Sequence, residues 1–156
     1  ELGPGESWVV LEAVADPGNL GTILRTHDAV GGKGVILLEQ ATDPYDPTAI
    51  RASMGAVFAQ KLVKTSLDEF LAWKERHGYR VVGTSDAAAD DYHTAPYPDP
   101  FLLLMGSERQ GLSPRAMQKC DQMVSIPMLG RSDSLNLAVA TAVVLYEWLN
   151  KRRDAR

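Results

Sequence analysis

The chain carries a single cysteine, Cys120, which excludes an internal disulfide and any Cys-x-x-Cys metal clip. Its expected role is that of a small buried hydrophobe in a reducing compartment, and no metal site is expected. Long apolar runs are missing as well. None approaches the roughly 20 residues needed to cross a bilayer. The start, Glu1-Leu2-Gly3-Pro4-Gly5, lacks the basic residues and apolar centre of a signal peptide. These absences favour the cytoplasm and no membrane partner. Positive charge is also in short supply. The formal net charge is −4, whereas Lys and Arg contacts to phosphate supply most non-specific affinity for nucleic acid. A basic cluster does close the chain, Lys151-Arg152-Arg153-Asp154-Ala155-Arg156, a feature that is usually solubilising. Any RNA binding must therefore rest on a local patch, a second subunit or a further domain.

What the sequence does contain is a regular alternation of apolar runs and amphipathic segments, without repeats or low-complexity linkers. Strands are expected at 8–14, 34–39, 59–64, 79–84, Phe101–Met105 and 123–126. Helices are expected at 19–30, after Asp46-Pro47, from the Ser66/Glu69 capping box to His77, after Ser113-Pro114, and at 135–151. Near-continuous apolar strands imply a parallel sheet buried on both faces, and the βα alternation implies one α/β domain. Ligands of such sheets bind beyond the carboxyl ends of the strands, and three strand ends carry unusual residues.

The first is Asn19-Leu20-Gly21-Thr22-Ile23-Leu24-Arg25. Leu20, Ile23, Leu24, His27 and Val30 share one helical face, which places His27 among packed residues and Arg25 on the opposite side. Gly21, one turn before Arg25, is expected to leave room for a phosphate or ribose to meet the guanidinium. The bland alternatives are an Arg25–Asp28 pair in solvent and Asn19 as a simple helix cap. The second is Gly106-Ser107-Glu108-Arg109-Gln110-Gly111-Leu112, whose two glycines permit a sharp turn close to a ligand. It lacks the Gly-Lys-Ser/Thr ending of a phosphate-binding loop and the G-x-G-x-x-G dinucleotide fingerprint, which counts against a nucleotide-dependent oxidoreductase. The third runs from Val124 through Pro127 to Asn136. It is expected to feed a helix capped near Ser134 that is apolar almost all round and buried on most sides. Asn136, in the first turn, is expected to be buried and to need a polar partner.

Together these segments resemble the three motifs of the SpoU/TrmH family of SPOUT methyltransferases. The motifs read N-L-G-T-I-L-R-T-H-D-A-V-G, L-L-L-M-G-S-E-R-Q-G-L-S and I-P-M-L-G-R-S-D-S-L-N-L-A-V-A-T-A, in order and at strand ends. Arg51-Ala52-Ser53-Met54-Gly55-Ala56 also looks like the family's intermotif helix. The resemblance covers essentially all of residues 1–156. It implies a mostly parallel sheet with helices on both faces and a C-terminal trefoil knot, a rare exception to unknotted topology. It further implies S-adenosyl-L-methionine as cofactor, held around Thr84, Leu104, Gly106, Ile126, Met128 and Leu135. The implied reaction is methyl transfer to a ribose 2′-hydroxyl of RNA. By the same resemblance Arg25 engages the target ribose and phosphate, and Asn19, Glu108, Ser134 and Asn136 orient it. A homodimer with each site completed across the interface is implied too. Position 27 departs from the family in holding histidine where a small residue is more common. Many relatives carry an N-terminal RNA-binding domain, so the acidic chain is expected to be the excised catalytic part. A missing C-terminal tail tilts the expected substrate toward ribosomal rather than transfer RNA. A domain that binds cofactor and RNA without catalysis is the remaining alternative.

Overall fold

The computed structural model describes residues 1–155. Seven strands form one all-parallel sheet: β1 (Ser7–Glu12), β2 (Gly34–Leu38), β3 (Lys61–Thr65), β4 (Val81–Thr84), β5 (Asp90–Asp91), β6 (Phe101–Met105) and β7 (Gln122–Ser125). Their order across the sheet is β3-β2-β1-β6-β4-β7-β5. Five helices accompany them: α1 (Pro17–Ala29), α2 (Pro47–Ser53), α3 (Leu67–His77), α4 (Pro114–Lys119) and α5 (Leu137–Asp154). The two-residue strand β5 carries no apolar run and is invisible to periodicity.

Every residue of β1, β2 and β6 is buried, as a sheet covered on both faces requires. Alternation then sorts side chains into two cores. Val9, Leu11, Phe101, Leu103 and Met105 pack with Leu20, Ile23 and Leu24 of α1 and with Val144, Leu145 and Trp148 of α5. Val10, Ile36, Leu102 and Leu104 face the other way, toward Phe70 and Leu71 of α3 and Ala116 of α4. At the sheet margin β3 exposes Lys61 and Lys64, charged side chains that discourage edge-to-edge pairing.

Several element ends differ from the sequence expectation, each for a local reason. β1 stops at Glu12 because Ala13 adopts a left-handed backbone with φ of 61°. α1 begins two residues early, since the Asp16 carboxylate accepts the amides of Gly18 and Asn19 and Pro17 sits at the first helical position. Asn19 is therefore not the cap, and its side chain is free for other partners. The intermotif segment is not one continuous helix. α2 ends at Ser53, Met54 and Gly55 are left-handed, and a single 3₁₀ turn follows at Ala56–Phe58. Gly21 does not open a space under Arg25. A Cβ there would come within 2.3 Å of the Ala49 carbonyl oxygen and 2.6 Å of the Ala52 Cβ, so this glycine lets α2 lie directly on α1.

His27 is fully buried, as the apolar stripe predicts. Its Nδ1 lies 2.7 Å from Gln60 Oε1 and its Nε2 3.0 Å from Ser7 Oγ. Gln60 in turn donates to the Gly32 carbonyl, so its Oε1 must accept, Nδ1 carries the proton, and Nε2 accepts from the serine hydroxyl. Burial disfavours the imidazolium and pulls its pKa from 6.5 to about 4, against the weaker opposing effects of Gln60, Ser7 and Asp28. A depressed histidine pKa contributes stability that is present above the unfolded value and lost as pH falls from about 6.5 toward 4. The contribution is about 3 kcal/mol. Urea unfolding across that window is expected to show this slope, and His27→Gln to flatten it; an unchanged slope in the variant would assign the effect elsewhere.

Candidate functional site

Because all strands run in parallel, the carboxyl ends of β4, β6 and β7 lie on one edge of the sheet, where they surround a cleft of about 410 Å³. That volume is within the range of small-molecule sites. Thr84, Gly106, Ile126, Met128 and Leu135 all line it, as do Glu108 and Ser134. Leu104 does not. The pleat turns Leu103 and Met105 to the α1/α5 side and Leu104 to the opposite core, where it is 1% exposed. The neighbouring Met105 lines the cleft instead, and Thr84 Oγ1 lies 3.4 Å from its sulfur.

The loop after β6 is folded tightly. Ser107 and Gly111 exchange backbone hydrogen bonds of 3.2 and 3.0 Å, and the Gln110 amide donates to Ser107 Oγ. Gly106 must be glycine for this, since a Cβ would stand 2.0 Å from the Gly111 carbonyl carbon. Glu108 projects from the loop onto the β1–α1 connection. Its carboxylate accepts the amides of Ala15 (3.1 Å) and Asp16 (3.0 Å), with a longer contact of 3.5 Å from Asn19 Nδ2. Desolvation raises its pKa, but the amides of Asp16, Glu108 itself and Ala15, with the Asn19 side chain, outweigh that, and the net shift is downward. Glu108 is thus a carboxylate at neutral pH with its oxygens already engaged.

Asn136 connects the third loop to the other two. It is the N-cap of α5, in the place expected for Ser134, and its Oδ1 accepts the amides of Ala138 (2.8 Å) and Val139 (3.2 Å). Its Nδ2 donates to Asn19 Oδ1 at 3.2 Å. A hydrogen-bonded chain therefore runs Asn136–Asn19–Glu108 and draws the three loops together. Asn136 is exposed rather than buried, and its polar partner is a side chain of the first loop. Ser134 lies on the cleft wall with no capping role.

Arg25 stands apart. It is exposed on α1, does not line the cleft, and has no hydrogen-bond or ion-pair partner among the described residues; the alternative Arg25–Asp28 pair is not formed. Six residues beyond Asn19, it is about 9 Å along the helix axis and turned well away from it. α5 is not covered on every side either, since Val139 and Tyr146 are 48% and 44% exposed.

Sequence reasoning missed Asp86, Asp133 and Glu12. The first two bring carboxylates to the cleft wall, and their only signal was their position after a strand end. Glu12, at the end of β1, is a buried acid in an apolar strand, and that anomaly was readable.

Residues 6–146 match the SpoU rRNA Methylase family. The chain belongs to this family. It is 38% identical over 147 residues to a Staphylococcus haemolyticus protein assigned to the TrmH family of tRNA/rRNA methyltransferases, covering 94% of this chain and 59% of that protein. It is 37% identical over 154 residues to the 23S rRNA (uridine(2479)-2′-O)-methyltransferase of Streptomyces viridochromogenes, covering 95% of this chain and 54% of the relative. The AdoMet-bound rRNA methyltransferase of Sinorhizobium meliloti superposes with a TM-score of 0.91 at 42% identity, over 96% of this chain and 57% of that one. The chain thus spans under two thirds of the length of these SpoU relatives. Its parallel α/β architecture is the fold expected from the motifs, and the strand order is compatible with the implied knot.

Proposed function

We propose that this domain binds S-adenosyl-L-methionine in the cleft at the ends of β4, β6 and β7 and directs methyl transfer to a ribose 2′-hydroxyl of RNA. The observation that carries the reading is the Asn136–Asn19–Glu108 chain, which holds the three family motifs around one cleft. The cleft suits the cofactor chemically. Met105, Val124, Ile126 and Leu137 offer apolar surface for a purine, and the carboxylates of Asp86, Glu108 and Asp133 outnumber the one guanidinium, Arg109, as a ligand of net positive charge requires. The AdoMet bound by the Sinorhizobium meliloti relative supports the same choice.

Bound there, the cofactor supplies a methyl group on a sulfonium centre. The protein's task is then positioning. Arg25, exposed and without a partner among the described residues, is suited to clamp an RNA phosphate and to stabilise negative charge developing on the 2′-oxygen. It is not suited to be a base, because a guanidinium does not release its proton. Glu108 is a poor base too, with its oxygens occupied by backbone amides. Asn19 and Asn136 hold the first and third loops in register, and Ser134 contributes a hydroxyl at the wall.

Arg25 and the cleft do not converge within one chain, and α5 leaves an apolar stripe uncovered. Both support a homodimer in which Arg25 of one copy completes the other copy's site. Ribosomal RNA is the favoured substrate, because the relatives from Streptomyces viridochromogenes and Sinorhizobium meliloti are rRNA methyltransferases. With a net charge of −4, the domain leaves part of RNA selection to a local patch such as Lys151–Arg153 or to a further domain. Action in the cytoplasm fits this role, and no helix among the described residues is long and apolar enough to cross a membrane.

The test is transfer of labelled methyl from S-adenosylmethionine to total RNA. Nuclease digestion is expected to recover the label in 2′-O-methylnucleosides, and mapping assigns the RNA. Label in base atoms, or S-adenosylmethionine binding with no transfer to any RNA, would overturn the reading.

A further inference from the structure

The buried carboxylate of Glu12 takes no part in the chemistry described so far. It sits at the carboxyl end of β1, 7% exposed, in a strand otherwise devoted to the core. Burying a carboxylate is costly unless its oxygens are hydrogen-bonded. Here both are used on one residue of another loop. Glu12 Oε1 accepts the Ser113 amide at 2.7 Å, and Oε2 accepts the Ser113 hydroxyl at 2.6 Å. The same hydroxyl oxygen accepts the Ala116 amide at 3.2 Å and caps α4, so Glu12 polarises the cap as well as holding it.

Ser113 is the first residue beyond the loop that lines the cleft, and Leu112 beside it is a buried part of the wall. The geometry forms a reciprocal clasp. From the end of β1 Glu12 grips Ser113, just past the Gly106–Leu112 loop, and from that loop Glu108 grips Ala15 and Asp16 of the β1–α1 connection. Between the two grips, the Ser107–Gly111 ladder leaves the loop little freedom. We infer that Glu12 is a positioning residue for the cofactor cleft: through Ser113 it sets the height of the Gly106–Leu112 wall and thereby the affinity for S-adenosylmethionine. This rests on the cofactor assignment proposed above.

Four readouts and one control separate this role from a general contribution to folding. Glu12→Ala leaves the amide and hydroxyl of Ser113 without their acceptor and is expected to weaken S-adenosylmethionine binding by calorimetry about tenfold. At saturating cofactor, turnover is expected to stay within about threefold of the parent, which places the effect in KM. Glu12→Gln keeps an acceptor for the amide and is expected to recover part of the affinity. In a double-mutant cycle, Glu12→Ala and Ser113→Ala are expected to cost no more together than the larger of the two alone. Asp121→Asn serves as the control. Asp121 ties Lys74 (3.0 Å) and the Val81 amide (2.7 Å) away from the cleft, so its loss should lower the melting temperature without changing cofactor affinity. Equal loss of affinity in Asp121→Asn and Glu12→Ala at matched stability, or additive effects of Glu12 and Ser113, would overturn the inference. Failure of the parent protein to bind S-adenosylmethionine would instead overturn the cofactor assignment.

Discussion

Arg25→Ala is expected to lower methyl transfer by about a thousandfold, the scale of removing one donor from a developing oxyanion, and to leave cofactor affinity within about twofold. Both parts follow from its position. The side chain is exposed and has no partner among the described residues, so truncation should cost the fold no more than about 0.5 kcal/mol. It lies off the cleft wall, so the cofactor loses nothing. Arg25→Lys should recover little, because a point charge does not replace a planar fork on a phosphate. A mixed dimer sharpens the test. In the proposed dimer, co-expression of Arg25→Ala with Leu135→Asp, a cleft-wall variant, gives mixed dimers holding one complete site only if Arg25 serves the partner's cleft. About a quarter of parental activity is then expected, half the molecules being mixed and half their sites intact. No recovery would place Arg25 and the cleft it serves in the same chain. Loss of cofactor binding in Arg25→Ala would show that its role had been misassigned.

Gly106→Val is expected to abolish cofactor binding and to cost about 3 kcal/mol or more of stability. The first added carbon would overlap the Gly111 carbonyl carbon at 2.0 Å and the Leu112 nitrogen at 2.1 Å. These are backbone atoms held by the Ser107–Gly111 ladder, so no side-chain rotation relieves the clash. Two other glycines calibrate the effect. At Gly111 a Cβ meets nothing, but φ is +67°, and alanine there should cost about 1 kcal/mol through backbone strain alone. Gly130 has neither constraint, and alanine should be neutral. Thermal melts of the three variants together check the ranking. Intact binding in Gly106→Val would mean the loop is far more plastic than its hydrogen bonds suggest.

The sheet, its parallel sense and its cleft edge were legible because apolar runs and turn residues report burial directly. Phe101–Met105 reads as a fully buried strand and is one. The three motif segments stood out because each follows a strand end with chemistry out of place in a connection, and the roles of their residues came from the family resemblance. Orientation within a strand was harder. Leu103, Leu104 and Met105 are equally apolar, and only the direction of the pleat decides that Leu104 leaves the cleft. Gly21 was misread for a related reason. A glycine signals close approach, but the sequence does not say of what, and here it is α2. The cap of α5 fell at Asn136 rather than Ser134 because both are good caps, and the long-range partner Asn19 decides between them. The apolar stripe of α1 did place Arg25 away from the sheet, but where α1 sits relative to the cleft depends on long-range packing that no local pattern encodes.

The hydrogen bond between Asn19 and Asn136 joins residues 117 apart in sequence. During synthesis, β1 and α1 are made early and wait for most of the domain before their partner emerges from the ribosome. A nascent chain halted after β7 holds all seven strands, yet it has no α5 to cover Val9, Leu11 and Leu103, no third wall for the cleft and no counterpart for Asn19. The segment that closes the cleft is thus the one that completes the core, so the site and the folded sheet are finished together by the last helix.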